Sequence, residues 1–109
     1  MQSFRKRKNK ETTLKGYWLI LGTSVTDQSA QDEYGRLWAP IAQKYQARLN
    51  PTNAPLQKES RDTSRVIVVE FPSLEAARNC YDDPAYQEAL TFALKASRRD
   101  LLIFEGEIA

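Results

Sequence analysis

SRVIVVEFPSLEAARNCYDDPAYQ, residues Ser64 to Gln87, reads as a strand, a proline break, a short helix, a second proline break and the start of another helix. The β-branched run from Arg65 to Phe71 is the strongest strand signal of the chain and belongs at the centre of a sheet. Pro72 holds Phe71 extended and ends that strand. Ser73 supplies a capping oxygen for LEAARNCY. Asp83 then caps a new helix with Pro84 at its first position, where a missing N–H costs nothing. This second helix is expected over about 84 to 97.

Working outward, GYWLILGTSV (Gly16 to Val25) is contiguous in aromatic and branched residues, the mark of a strand covered on both faces. Asp27 or Ser29 caps a helix whose apolar positions, Tyr34, Leu37, Trp38, Ile41, Ala42 and Tyr45, recur at the spacing of one helical face. Pro40 inside it removes a backbone donor, so a kink is expected near 36–40. Gln46 to Asp62 is polar and punctuated by Pro51, Asn53 and Pro55, which suits a short edge strand or hairpin arm. DLLIFEG, Asp100 to Gly106, is the last strand. The order β, α, β, β, α, β with short connections predicts an α+β fold: a ferredoxin-like, antiparallel four-stranded sheet with two helices on one face.

Composition narrows the chemistry. A chain of 109 residues with 41% apolar residues makes one packed domain. It has one cysteine, Cys80, and no histidine. A disulfide framework, a Cys–His or Ser–His nucleophile and a His-ligated metal are thereby excluded, and no metal or cofactor is expected. The cysteine usage suits a reducing compartment, and the expected location is the cytoplasm. Of the 16 basic residues, Arg5, Lys6, Arg7, Lys8 and Lys10 fall in the first thirteen positions, leaving 11 basic and 13 acidic residues from Leu14 onward. Residues 1–13 are therefore read as a basic, disordered extension, and residues 14–109 as a single domain. Nucleic acid is expected as a partner only through that arm, because the body is nearly neutral. No run approaches the roughly 18 apolar residues of a membrane helix.

Helices on one face leave the other uncovered. Ile67, Val69 and Phe71 alternate with Val66, Val68 and Glu70. Phe71 leads into the helix through Pro72, so its set is assigned to the helix side. The opposite face, joined by alternate residues of Tyr17–Leu21 and Leu101–Phe104, would leave about six large apolar side chains wet, at roughly 1.5–3 kcal/mol each. That is comparable with the ~4–15 kcal/mol cost of association, and a homodimer with sheets face to face is predicted.

KGYWLIL (Lys15 to Leu21), RVIVVEFPSLEAARNCYDDPAYQEA (Arg65 to Ala89) and DLLIFEG resemble the domain of unknown function 1330 family, over about Leu14 to Gly106. The most specific part is EFPSLEAA followed by a tyrosine, an acidic-proline turn and Tyr-Gln. The resemblance implies a ferredoxin-like dimeric α+β barrel, similar to small monooxygenases and stress-responsive barrel proteins, and implies fold and dimer rather than a particular reaction. Relatives carry a glycine-rich turn after the first helix and an Arg-Gly-Gly segment. Here Arg48 is kept while Asn50, Pro51 and Asn53 stand in place of the glycines.

Candidate site residues follow. Glu70 interrupts an apolar strand on the face assigned to the barrel interior, where a carboxylate serves as general base or anchor unless an arginine such as Arg48, Arg61 or Arg98 pairs with it. Tyr81 and Tyr86 flank the acidic turn with phenol donors. Trp18 offers a flat surface for a ring, whereas Trp38 lies on the helical stripe and is read as core. Arg48, by resemblance, joins the ligand-binding candidates. Cys80, with nothing to activate it, is read as a small filler. Arg98 and Arg99 are read as complements to a helix dipole. The function expected is a dimer binding a small organic molecule between sheet and partner, extending to a cofactor-free oxygenase- or isomerase-like enzyme. The alternative is a non-catalytic dimerisation module whose interior is packed solid.

Overall fold

The computed structural model describes residues 14–50 and 52–108; the basic extension at residues 1–13 lies outside the described residues. The elements are β1 (Lys15–Gly22), α1 (Gln28–Lys44), β2 (Arg48–Asn50), β3 (Arg65–Phe71), α2 (Leu74–Asp82), α3 (Pro84–Ala96) and β4 (Arg99–Gly106). The four strands form one antiparallel sheet in the order β2-β3-β1-β4. The two strands read as most apolar, β1 and β3, occupy its centre, and the proline-flanked β2 is an edge.

Each helix begins at the cap its sequence announces. Asp27 Oδ1 accepts from the Ala30 N–H at 3.0 Å, Ser73 Oγ from Ala76 at 3.0 Å and Asp83 Oδ1 from Ala85 at 2.8 Å. Pro40 lies within α1, exposed, and the helix runs on to Lys44. Beyond its end Gln46 takes φ 54°, and the Ala47 N–H reaches the Ala42 carbonyl at 2.9 Å. This is the Schellman closure that glycine usually makes, here carried by glutamine. β1 stops at Gly22, short of the expected Val25. The Thr23 N–H turns to the Arg98 carbonyl at 2.9 Å and the Thr26 N–H to that of Ala96 at 2.8 Å, joining the chain to the end of α3 instead of to a neighbouring strand.

Register assigns the faces. Trp18 stands opposite Val69 and Ile103, and Ile20 opposite Ile67 and Leu101. These side chains meet Phe71, Ile41, Ala77, Cys80, Tyr86 and Ala89 in the core beneath the helices. Ala77, Ala89, Ala93 and Ala96 are buried small residues, and α1 and α3 are the helices that pack most extensively. The closest approach is at Gly16, where an added Cβ would stand 2.3 Å from the Ser73 carbonyl oxygen and 2.7 Å from Leu74 Cα. On the opposite face Leu19, Leu21, Val66, Val68 and Phe104 are half-buried, and Leu102 is 53% exposed.

Asp83 ties α1 to the α2–α3 turn. Besides capping α3, its Oδ2 accepts from the Tyr45 hydroxyl at 2.6 Å and from Lys44 Nζ at 2.9 Å. These donors, Tyr45 first, hold its carboxyl down at about 2 against an ordinary 3.8. A lowered native value means that the interaction stabilises the fold above the ordinary value and is lost as pH falls from there through about 2. Chemical denaturation across that acid range should therefore show a loss of stability that Asp83→Asn lacks. Equal acid limbs in both proteins would refute the assignment. For Gly16→Ala, the backbone contact predicts a loss of roughly 1–3 kcal/mol in urea unfolding. An unchanged midpoint would show that the α2 entry can shift.

Candidate functional site

Trp18 is the floor on which the site is built. It is fully buried, and its Nε1 donates to the Ala77 carbonyl at 3.0 Å. Its ring lies 4.9 Å from that of Tyr86, 5.0 Å from Phe71, 5.5 Å from Trp38 and 6.0 Å from Tyr81. Tyr34 stacks on Trp38 at 6.5 Å with planes 7° apart. Between this aromatic side of α1 and the β2–β3 half of the sheet opens a cleft of about 410 Å³. Tyr34 and Trp38 form one wall, Ile20, Ile67 and Val69 the sheet wall, and Leu49, Asn50 and Thr52 the rim. This volume lies in the range of small-molecule sites, and so does the pattern of an apolar lining with few polar groups.

The polar end of the cleft is cationic. Arg65 and Arg99, the first residues of β3 and β4, both stand opposite Gly22 in register. Arg99 Nη2 donates to the Tyr86 hydroxyl at 2.6 Å, its guanidinium carbon lies 5.2 Å from the Tyr34 ring centre, and the Tyr34 and Tyr86 hydroxyls are 3.1 Å apart. Burial pushes the Tyr86 phenol far above its ordinary range, the Tyr34 hydroxyl adding to that and Arg99 opposing it. At neutral pH Tyr86 is therefore an uncharged relay between a cation and a second phenol. Burial, and then the neighbouring Arg99, lower the pKa of Arg65. At the rim Asn50 Nδ2 is buried with no hydrogen-bond partner among the described residues.

Register divides the residues singled out from sequence between the two faces. Trp18 lines the cleft, and Tyr86 and Tyr81 pack behind it on the helix side. Arg48 and Glu70 stand opposite each other on β2 and β3, facing away from the helices. There Glu70 is buried and accepts from Lys15 Nζ at 3.0 Å, with Arg48 Nη1 at 3.7 Å. This is the ion-pair arrangement, with Lys15 added to it. Arg61 and Arg98 do not take part; Arg98 pairs with Asp62 at a more open hollow of about 520 Å³ beside the end of the sheet. Cys80 is fully buried, and burial, with Asp83 adding, pushes its thiol up to about 12.

Tyr34, Trp38, Arg65 and Arg99 were not on the sequence-derived list. One signal for Arg65 was present: it is in phase with Ile67, Val69 and Phe71, a charge on the core-facing set. Arg99 is not at a helix end, since α3 closes at Ala96 with Ser97 as its cap and β4 begins at Arg99. Among the described residues no cluster of metal-ligating side chains gathers, and no helix is long and apolar enough to cross a membrane.

A four-stranded antiparallel sheet with all helices on one face is the architecture of ferredoxin-like α+β proteins, and solved structures agree. A protein of unknown function from Rhodopseudomonas palustris superposes with TM-score 0.67 at 18% identity, over 88% of this chain and 85% of that one. SnoaB, a cofactor-independent oxygenase from Streptomyces nogalater, does so with TM-score 0.55 at 16% identity, over 89% and 97%. A dimeric ferredoxin-like protein of unknown function from Jannaschia sp. CCS1 gives 0.57 at 17%, over 86% and 99%. At such identities the likeness is one of fold. No curated protein matches the chain. The chain belongs to the DUF1330 family, a domain of unknown function, whose model matches residues 15–107.

Tyr86→Phe removes the group that joins Arg99 to Tyr34 and leaves a half-buried cation short of an acceptor. A stability loss of about 1–3 kcal/mol in denaturant unfolding is expected, with the fold retained. A loss under about 0.5 kcal/mol, within the range of an ordinary surface change, would show that water replaces the hydroxyl freely.

Proposed function

We propose that the protein is a homodimer, sheet against sheet, in which each protomer holds a small organic molecule in the cleft between α1 and the sheet. The cleft carries this reading. It is apolar and aromatic along its walls, polar at one end, and of a size that ligands fill. It lies on the helix side, and this reading therefore puts the ligand within a protomer where the sequence suggested a site between sheet and partner. The open face then serves assembly alone. Leu102 is exposed there beside half-buried Val66, Val68 and Phe104, while Glu70 is neutralised locally by Lys15 and Arg48. Several structures sharing this fold are described as dimeric, which supports the same arrangement.

The reading extends to cofactor-free chemistry of the oxygenase or isomerase type. Its supports are the paired hydroxyls of Tyr34 and Tyr86, which place an exchangeable proton beside the cleft, and the fold shared with SnoaB. A phenol held uncharged can donate a hydrogen bond to charge that develops on a bound molecule.

Light scattering at micromolar concentration should return twice the mass of the chain, falling to the single mass in Leu102→Arg; a monomeric wild type would end the dimer reading. Thermal-shift screening with phenolic and carboxylate metabolites should raise Tm for some compounds, and Trp38→Ala should abolish that rise. A screen without any shift would favour the non-catalytic dimerisation module.

A further inference from the structure

We infer that the α1 cleft selects a flat organic anion, its carboxylate held between Arg65 and Arg99 and its ring laid against Trp38 and Tyr34. This deepens the cleft reading above and rests on it.

Two half-buried arginines side by side are the observation to be explained. Like charges brought together away from water repel, and each loses solvation unless an anion compensates. Among the described residues no carboxylate pairs with either: the acidic side chains that form ion pairs, Glu33, Asp62, Glu70 and Asp83, are bound to other cations. The protein holds the two guanidiniums with neutral groups instead. One amino group of Arg65 donates to the Thr23 carbonyl at 3.1 Å and to Ser97 Oγ at 3.2 Å, and one of Arg99 donates to Tyr86 at 2.6 Å. Such contacts orient a guanidinium and leave its charge in place, with donors to spare, since each carries five N–H groups.

Gly22 makes the convergence possible. A Cβ there would stand 3.1 Å from Arg65 Nη1 and 3.6 Å from Arg99 Cβ. The glycine lies opposite both arginines in the sheet, and its missing side chain is the space that the Arg65 guanidinium takes beside the Arg99 Cβ. Arginine suits a carboxylate because its planar fork matches two oxygens at once. The rest of the cleft sets the shape of the ligand. Trp38 and Tyr34 lie nearly parallel, 7° apart, above a sheet wall of Ile20, Ile67 and Val69. A ring on these side chains buries apolar surface while its carboxylate reaches the arginines.

The test compares naphthoate with its uncharged amide, naphthamide, by two-dimensional NMR of the full chain, with the Trp18 and Trp38 indole N–H signals as reporters. Naphthoate should shift the Trp38 signal and bind on the order of tenfold more tightly than naphthamide, since hydrogen bonds to a charged group are stronger than those to a neutral one. Arg65→Gln should remove that preference by weakening naphthoate binding far more than naphthamide binding. Arg65→Lys keeps the charge and serves where the glutamine variant is unfolded; it should retain most of the preference. Equal binding of the two compounds would overturn the anion selectivity and leave the cleft as a binding site. Shifts confined to Lys15, Arg48 or Arg98 would place the anion elsewhere and overturn the inference. Failure of both compounds to perturb any cleft residue would overturn the cleft reading itself, and the inference with it.

Discussion

The structure depends on the burial of Trp18 at the centre of the sheet. An indole there must find an acceptor for its N–H, and it finds the Ala77 carbonyl, which fixes α2 above β1. Its ring then becomes the surface on which α1, through Trp38, and α3, through Tyr86, are seated. Gly16, two residues earlier on the same face, completes the constraint by letting the Ser73–Leu74 backbone approach more closely than any side chain would allow. Helix placement therefore follows from one large residue that needs a partner and one residue that must be absent as a side chain. The cleft follows in turn, as the space left where α1 leans on Trp18 and does not reach the edge strand β2.

Charge is handled differently on the two faces of the sheet, and that difference supports the proposed division between assembly and binding. Away from the helices, Glu70 is buried but compensated by Lys15 and Arg48. A compensated charge adds little to a face whose remaining residues are apolar, so the face suits a flat self-complementary contact. Under α1, Arg65 and Arg99 are oriented by hydroxyls and carbonyls without being neutralised. Such an arrangement costs folding energy unless something else uses it, and costs of this kind gather at sites.

Much of the fold was legible because each signal was local. Pro72, Ser73, Asp83 and Pro84 act within a few residues of themselves, so the strand end, both caps and the break between α2 and α3 stand where the sequence puts them. The alternation of Val66, Val68 and Glu70 with Ile67, Val69 and Phe71 likewise needed only the strand period. Element ends were less legible. The stop of β1 at Gly22 depends on hydrogen bonds to Arg98 and Ala96, more than seventy residues away in sequence. The site was the least legible, because its members come from α1, β3 and β4 and meet only once the strands are in register.

From residue types and spacing alone, this sequence determined a βαββαβ chain with an edge strand, an apolar second sheet face and no histidine-based chemistry, since these depend on local propensity, period and composition. Tertiary structure alone decided that Glu70 has Lys15 as its nearest partner, that Arg99 belongs to a strand and a cleft instead of a helix end, and that Tyr34, Tyr86, Arg65 and Arg99 gather at one end of that cleft. The physical reason is that pairing and burial are properties of neighbours brought across the fold, and a strand's register, which chooses those neighbours, is not written in any single segment.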